Sequence, residues 1–269
     1  MRVWMPAGLL SAWLVAALLA PVLPLSPNDV ELPKVLSGPM PDAWFGNDEL
    51  GRPVLDRLIA GARTSLLVAV SVVCVSLVLG TFIGMSSAWL GGFWDHVIVR
   101  IVDVFLAFPG ILLAIALAGI LGPGIENVIF ALAAVGWVGF ARLARAQTLS
   151  FRHREHVLAA VAMGSGPSRV LIRHVLPLIA APLIVEGTFG VAGIIVAEAG
   201  LSFLGLGVQP PDASWGSIIR EGTRYMLVAP HLVILPSMAL MLVVLSVNML
   251  GDTLRDHLDV RTKELHEIR

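Results

Sequence analysis

Long apolar runs separated by short polar islands dominate the chain. Crossing about 30 Å of hydrocarbon takes roughly 20 mostly apolar residues, and stretches near 7–25, 64–90, 98–121, 127–148, 178–206 and 230–251 meet that length. About six transmembrane helices are expected. The first run follows Arg2, but Leu18-Leu19-Ala20 before Pro21 lacks a small-x-small cleavage pattern. It reads as a retained anchor. Two islands are long: an extended segment at 26–62, and a loop between the fourth and fifth runs. A third, Gly205 to Asp212, is rich in Gly and Pro and ends the fifth helix. Trp215 and Tyr225, just beyond it, are expected at a membrane interface.

Composition agrees with that pattern. Of 269 residues, 57% are hydrophobic and 14% charged, and the mean hydropathy is +0.87, far from an ordinary soluble domain. The net charge of −1 argues against nucleic acid as a partner and leaves membrane lipid as the surroundings. The single cysteine, Cys74, lies inside an apolar run and forms no intrachain disulfide. No fixed-period repeat or low-complexity linker appears. The chain divides into an anchor helix (1–25), an extracytoplasmic segment (26–62), a core of five further spans (63–255) and a tail (256–269).

Positive charge in short loops is retained on the cytoplasmic side. Arg142, Arg145, Arg152, Arg154, Arg169 and Arg173 crowd the loop region, and Arg255, Arg261, Lys263 and Arg269 the C-terminal end. Both are therefore expected to be cytoplasmic, with the N-terminus, in a multi-pass protein. The segment at 26–62 then lies outside, where Asp29, Glu31, Asp42, Asp48, Glu49 and Asp56 outnumber Lys34, Arg52 and Arg57. Arg220 and Arg224 break the rule, with Glu221 and Asp212 near enough in sequence to offset them.

Several chemistries lack a required residue. A phosphate-binding P-loop needs a Lys after its glycine, yet the only lysines, Lys34 and Lys263, follow no Gly. The spacing of His153 and His156 is not that of a zinc hydrolase helix. Ser165 has no intramembrane histidine to activate it. No catalytic residue, metal site or cofactor is assigned to this chain. An ion-coupled secondary transporter would need paired broken helices in its two halves, and none is evident.

Glu155 to Met163 are good helix formers, stopped by Gly164, Gly166 and Pro167, with a turn leading into Ser168 to Leu176. By charge alone this is a basic connector. The small pair Ala159-Ala160 permits close approach of another surface, and Gly164 permits a sharp turn. With Leu176-Pro177, the spacing resembles the EAA loop of ABC-importer permeases.

Other passages extend that resemblance over roughly residues 44 to 260: Trp44-Phe45-Gly46-Asn47-Asp48-Glu49-Leu50-Gly51-Arg52, Ala107-Phe108-Pro109-Gly110, Leu201 to Pro211, and Asn248-Met249-Leu250-Gly251-Asp252. The chain resembles the second (C-type) inner-membrane permease of type I ABC importers of the dipeptide, oligopeptide and nickel group. The resemblance implies an all-α permease fold with a cytoplasmic coupling helix. It implies a bacterial plasma (inner) membrane location, a homologous permease partner and two cytoplasmic ATPase subunits that hold the ATP and Mg²⁺. An extracytoplasmic solute-binding protein would deliver short peptides, or alternatively a nickel chelate or other small solute. Coupling would fall on Glu155, Ala159, Ala160, Gly164, Ser165, Leu176 and Pro177. Leu158 stands where the family often has Glu, and His174 where it has Ile.

Ionisable groups inside spans are costly, so each is a candidate for the translocation path or the permease interface. Glu186 and Glu198, twelve residues apart, fall about 120° apart round one helix and do not share a face. Asp103, three residues after Arg100, is placed for a helical ion pair.

Overall fold

In this computed structural model residues 4–41 and 43–267 are described, with side chains up to Leu258. Arg2, Asp42 and Arg269, and the side chains of Arg261 and Lys263, lie outside that description. The architecture is all-α among the described residues, apart from two isolated bridges in the segment before the second helix, Met40 with Ala43 and Asn47 with Pro53.

The helices are α1 (Trp4–Leu19), α2 (Val54–Leu90), α3 (Gly92–Leu106), α4 (Gly110–Leu121), α5 (Ile125–Phe151), α6 (Glu155–Ala162), α7 (Pro167–Val170), α8 (Leu176–Phe203), α9 (Trp215–Thr223) and α10 (His231–Glu267). Helices α2 and α5, the α7–α8 run Pro167–Phe203 and the α10 stretch His231–Leu258 are each long and apolar enough to span a membrane. The other two expected spans differ. The stretch expected at 98–121 is α3 plus α4, bent by 86°, because Pro109 cannot donate to the helix and pushes Phe108 out of the helical region. At 16 residues, α1 is apolar but shorter than the usual span.

The closest packing in the bundle joins α2 to α5. A Cβ on Gly80 would meet Phe140 Cβ at 2.7 Å and the Ala141 nitrogen at 2.9 Å, and one on Gly84 would meet the Arg145 nitrogen at 2.9 Å. One turn earlier, Gly136 of α5 lies against Ser76 of α2. Ser76, Gly80 and Gly84 recur every four residues, a small-xxx-small stripe that lets two backbones touch where lipid offers no hydrophobic drive. On another side of α2, Gly187 and Gly190 of α8 meet Val73 and Leu77. Between those two glycines, Thr188 and Phe189 receive Gly251 of α10.

At the end of the bundle away from the arginine-rich loop, α9 packs on α8 and α10 and touches the start of α2. Ser214 accepts from the Ser217 N–H at 3.2 Å, and the Ser217 hydroxyl lies 2.9 Å from the Ser214 nitrogen, a reciprocal cap. Gly216 rests on the Ala199 backbone. Trp215 is not interfacial as expected: its ring is buried beside Trp13 of α1, and its indole N–H donates to the Leu58 carbonyl at 3.0 Å. Starting α9 against a glycine of α2, Gly61, leaves the indole no route but inward.

Gly84→Leu would drive a side chain into the α5 backbone. Its expected cost is about 3 kcal/mol, seen as a lower unfolding midpoint in detergent. Gly119→Ala in α4, where a Cβ meets nothing within 4 Å, is expected to leave the midpoint unchanged or raise it.

Candidate functional site

The expected short helix of the loop forms as α6, and its end follows from three backbone bonds. The Met163 N–H reaches Ala159, the Gly164 N–H reaches Val161 at 2.9 Å, and the Ser165 N–H reaches back to Ala160 at 3.1 Å. With Gly164 at φ +84°, this is a Schellman cap, for which glycine carries no Cβ penalty. The helix has two faces. Val157 and Ala160 are buried in a cluster with Met85 of α2, Phe140 and Ala144 of α5, and Ile179 and Leu183 of α8. Glu155, Leu158, Ala159, Val161 and Ala162 are exposed. The alanine pair is therefore divided: Ala160 anchors α6 to its own bundle, and Ala159 is the one open to another surface.

The expected turn lies at Gly164 to Gly166 and leads into Ser168 to Leu176. The chain stays helical from Pro167 to Phe203, with a π-helical turn at Leu171–Val175 closed by the Leu176 N–H on the Leu171 carbonyl. The next residue, Pro177, has no N–H to offer, and the five-residue spacing absorbs the missing bond. Leu176 and Pro177 thus lie inside a helix. Ser165 is half-buried beside the cap, and His174, where the family has Ile, is half-buried in the π turn.

Charges at the loop end lock α2, α3 and α5 together. Arg145 grips Asp95 through two 2.6 Å bonds, the Ser87 hydroxyl donates to the same carboxylate at 2.6 Å, and Arg152 donates to the Ala88 carbonyl at 2.9 Å. Asp95, at the start of α3, is the partner that sequence spacing missed, since Arg145 lies fifty residues away. The expected Arg100–Asp103 pair does not form. Both side chains are exposed on α3, and among the described residues Asp103 is left open near the Pro109 elbow.

Glu186 and Glu198 do fall on different faces. Glu198 is buried, accepting from Ser65 Oγ of α2 at 3.2 Å and from Ser202 Oγ at 2.7 Å. It belongs to the interior of this chain's own bundle, which corrects its reading as a path or interface residue: its place on α8 turns it inward onto α2. Glu186 is exposed on another side of α8, beside Gly139 of α5.

The sequence of residues 76–264 matches the family described as binding-protein-dependent transport system inner membrane component. The chain belongs to that family. It is 40% identical over 256 residues to the dipeptide transport system permease protein DppC of Alkalihalophilus pseudofirmus, covering 95% of this chain and 84% of that one. To the glutathione transport system permease protein GsiD of Escherichia coli O157:H7 it is 42% identical over 227 residues, 84% of this chain and 75% of that one. Among solved structures, a chain of the MetNI methionine ABC transporter in an inward-facing conformation superposes with a TM-score of 0.58 at 17% identity, covering 75% of this chain and 98% of that one. That likeness carries the fold. The all-α permease architecture and the inner-membrane, multi-pass placement hold.

In the permease, the motif from Asp48 to Arg57 builds an ion cluster at the end opposite the loop. Arg52 Nε binds Asp48 Oδ2 at 2.7 Å and its terminal nitrogen reaches Glu49 at 3.3 Å and Glu221 at 3.2 Å, while Arg57 binds Glu221 at 2.8 Å. Glu221 thus ties α9 to the start of α2 and does not serve Arg220 or Arg224, as the sequence suggested. Arg57 is only 1% exposed. Sequence motifs marked these residues, but only the fold brings Glu221 to them. Desolvation raises the pKa of Glu49, opposed by a backbone hydrogen bond and Arg52 and helped by Asp48 and Glu221.

Removing Arg57 leaves Arg52 as the one cation among Asp48, Glu49 and Glu221 in this cluster. Arg57→Ala is expected to lower stability by about 3 kcal/mol, measured by thermal unfolding of the purified permease. A carboxyl whose pKa is raised by folding holds its proton more tightly in the native state. Its stability contribution is complete below the ordinary Glu value of about 4.3 and is lost as pH rises through the raised one. The gap in unfolding midpoint between wild type and Glu49→Gln is therefore expected to shift in favour of the variant across that window. A pH-independent gap refutes the assignment.

Proposed function

We propose that this chain is one half of the translocation path of an ATP-driven importer for short peptides. One of two ATPase subunits docks on its 152–177 loop and the other on the homologous permease that completes the path, and a solute-binding protein delivers cargo at the opposite end. On this reading the loop and both termini are cytoplasmic, and residues 26–62 face outward. The ATP and Mg²⁺ stay in the partner subunits. The chain makes and breaks no covalent bond, and it changes which side of the membrane the path opens to.

The observation that carries the proposal is the two-faced helix α6. A short helix whose inner face is buried among α2, α5 and α8, while Leu158 and Val161 stay 49% and 44% exposed, is held rigidly and offers an apolar surface. Glu155 stands one turn before Ala159 on the exposed side. A docked subunit that moves this helix moves the spans packed beneath it. Peptide cargo rests on the relatives named for dipeptide and glutathione transport. A nickel chelate or another small solute is the alternative cargo within the same mechanism.

Gly164→Leu tests the docking. A left-handed backbone costs a non-glycine residue about 1 to 2 kcal/mol, so uptake and ATPase co-purification are expected to fall about tenfold while the protein remains membrane-inserted. Ala159→Glu, a change on the open face alone, is expected to give the same loss. Normal transport by both variants, with the ATPase retained at full strength, would rule the loop out as the docking point.

A further inference from the structure

Glu186 lies eleven residues into α8, near the middle of its span, yet its side chain is exposed. A charged group at that depth does not face hydrocarbon at equilibrium; it faces a water-filled cavity or a partner charge. Small residues lie beside it. A Cβ at Gly139 of α5 would lie 3.6 Å from Glu186 Oε1, and Gly193, two turns further along α8, has nothing within 4 Å of its Cβ position. Arg142 follows Gly139 by three residues, which puts it about 60° round α5 and about 4.5 Å further towards the loop. It too is exposed. Among the described residues no hydrogen bond or ion pair engages Glu186 or Arg142, in contrast to Arg145 and Glu198, which are fully engaged.

We propose that Glu186 and Arg142 form a dipolar contact in the path, the carboxylate receiving the ammonium end of a passing peptide and the guanidinium its carboxylate end. This rests on the peptide-import reading above and adds the chemistry by which the path accepts such a cargo. The geometry suits a zwitterion. Opposite charges lie on the neighbouring helices α8 and α5, stepped by about 4.5 Å along α5, and a dipeptide spans about 7 Å when extended. Small residues beside the carboxylate leave room for a side chain of any kind, so the site reads the two charges common to all peptides and not their sequence.

The complex of both permeases, ATPase subunits and binding protein, reconstituted in proteoliposomes, is supplied with an equimolar mixture of di- to pentapeptides, and uptake is read by mass spectrometry. Loss of one charge-assisted hydrogen bond in Glu186→Gln is expected to cut uptake about tenfold or more. Glu186→Asp, which keeps the charge, recovers most of it. Arg142→Gln falls in the same direction, and Arg142→Lys recovers. Undiminished uptake by Glu186→Gln overturns the proposal. So does dissociation of the two permeases in that variant, because Glu186 would then pair with a cation of the partner. If the wild-type complex imports no peptide from the mixture yet imports a nickel chelate or another solute, the peptide reading itself fails, and the contact with it.

Discussion

The contact of α2 with α5 is the constraint on which the rest of the permease depends. In a membrane, helices are not pressed together by water, so a tight pair needs backbones that can touch. Gly80 and Gly84 give α2 that surface, and the Phe140-Ala141 stretch of α5 occupies it. Once the two axes are fixed at this distance, Arg145 is carried to Asp95 and Arg152 to the carbonyl of Ala88. The beginning of the loop is then set by groups on both helices. Packing comes first here and charge second, since Asp95 and Arg145 are too far apart in sequence to find each other without it.

The same pair forms the floor under α6. Val157 and Ala160 enter a cluster that already contains Met85, Phe140 and Ala144, while Val170 and Val175 bring in the start of α8 from the other side. The loop therefore has one buried seam touching three spans and one open face touching none. A force on the open face has nowhere to go except into those spans. The π turn beside Pro177 fits this arrangement: a helix with one missing bond and an off-register turn is where α8 bends most readily. Flexibility is placed next to the anchored element and outside the tight α2–α5 seam.

Much of this was legible in the sequence because hydrophobic runs and glycine punctuation are local signals. The spans, the α6 boundaries and the need for glycine at 164 all follow from residues within a turn or two. What escaped was long-range. Nothing near Asp95 points to Arg145, nothing near Glu221 points to Arg57, and the Ser76-Gly80-Gly84 stripe has no meaning until α5 lies on it. The Pro109 break was visible as a residue but not as an 86° bend, because a proline inside an apolar run can also be absorbed as a kink. Pro177, Pro182 and Pro236 all stay within helices. Trp215 misled for the opposite reason: an aromatic beside a loop resembles an interface anchor until a neighbouring glycine, Gly61, is seen to admit it to the core.

The carboxylates sort themselves by how they are satisfied, and that sorting carries the functional argument. Asp48 and Glu221 are held by arginines at one end, Asp95 by Arg145 at the other, and Glu198 by serine hydroxyls between α2 and α8. Glu221, Asp95 and Glu198 tie elements distant in sequence, and Asp48 closes a local turn onto Arg52. Glu186 is different in kind. It sits in the same helix as Glu198, at greater depth, and spends its charge on nothing within the described chain. A membrane helix keeps such a group only where something outside the helix compensates it. Because the fold ties Asp48, Asp95, Glu198 and Glu221 within itself, an open carboxylate at mid-span marks where this bundle meets what it does not itself contain.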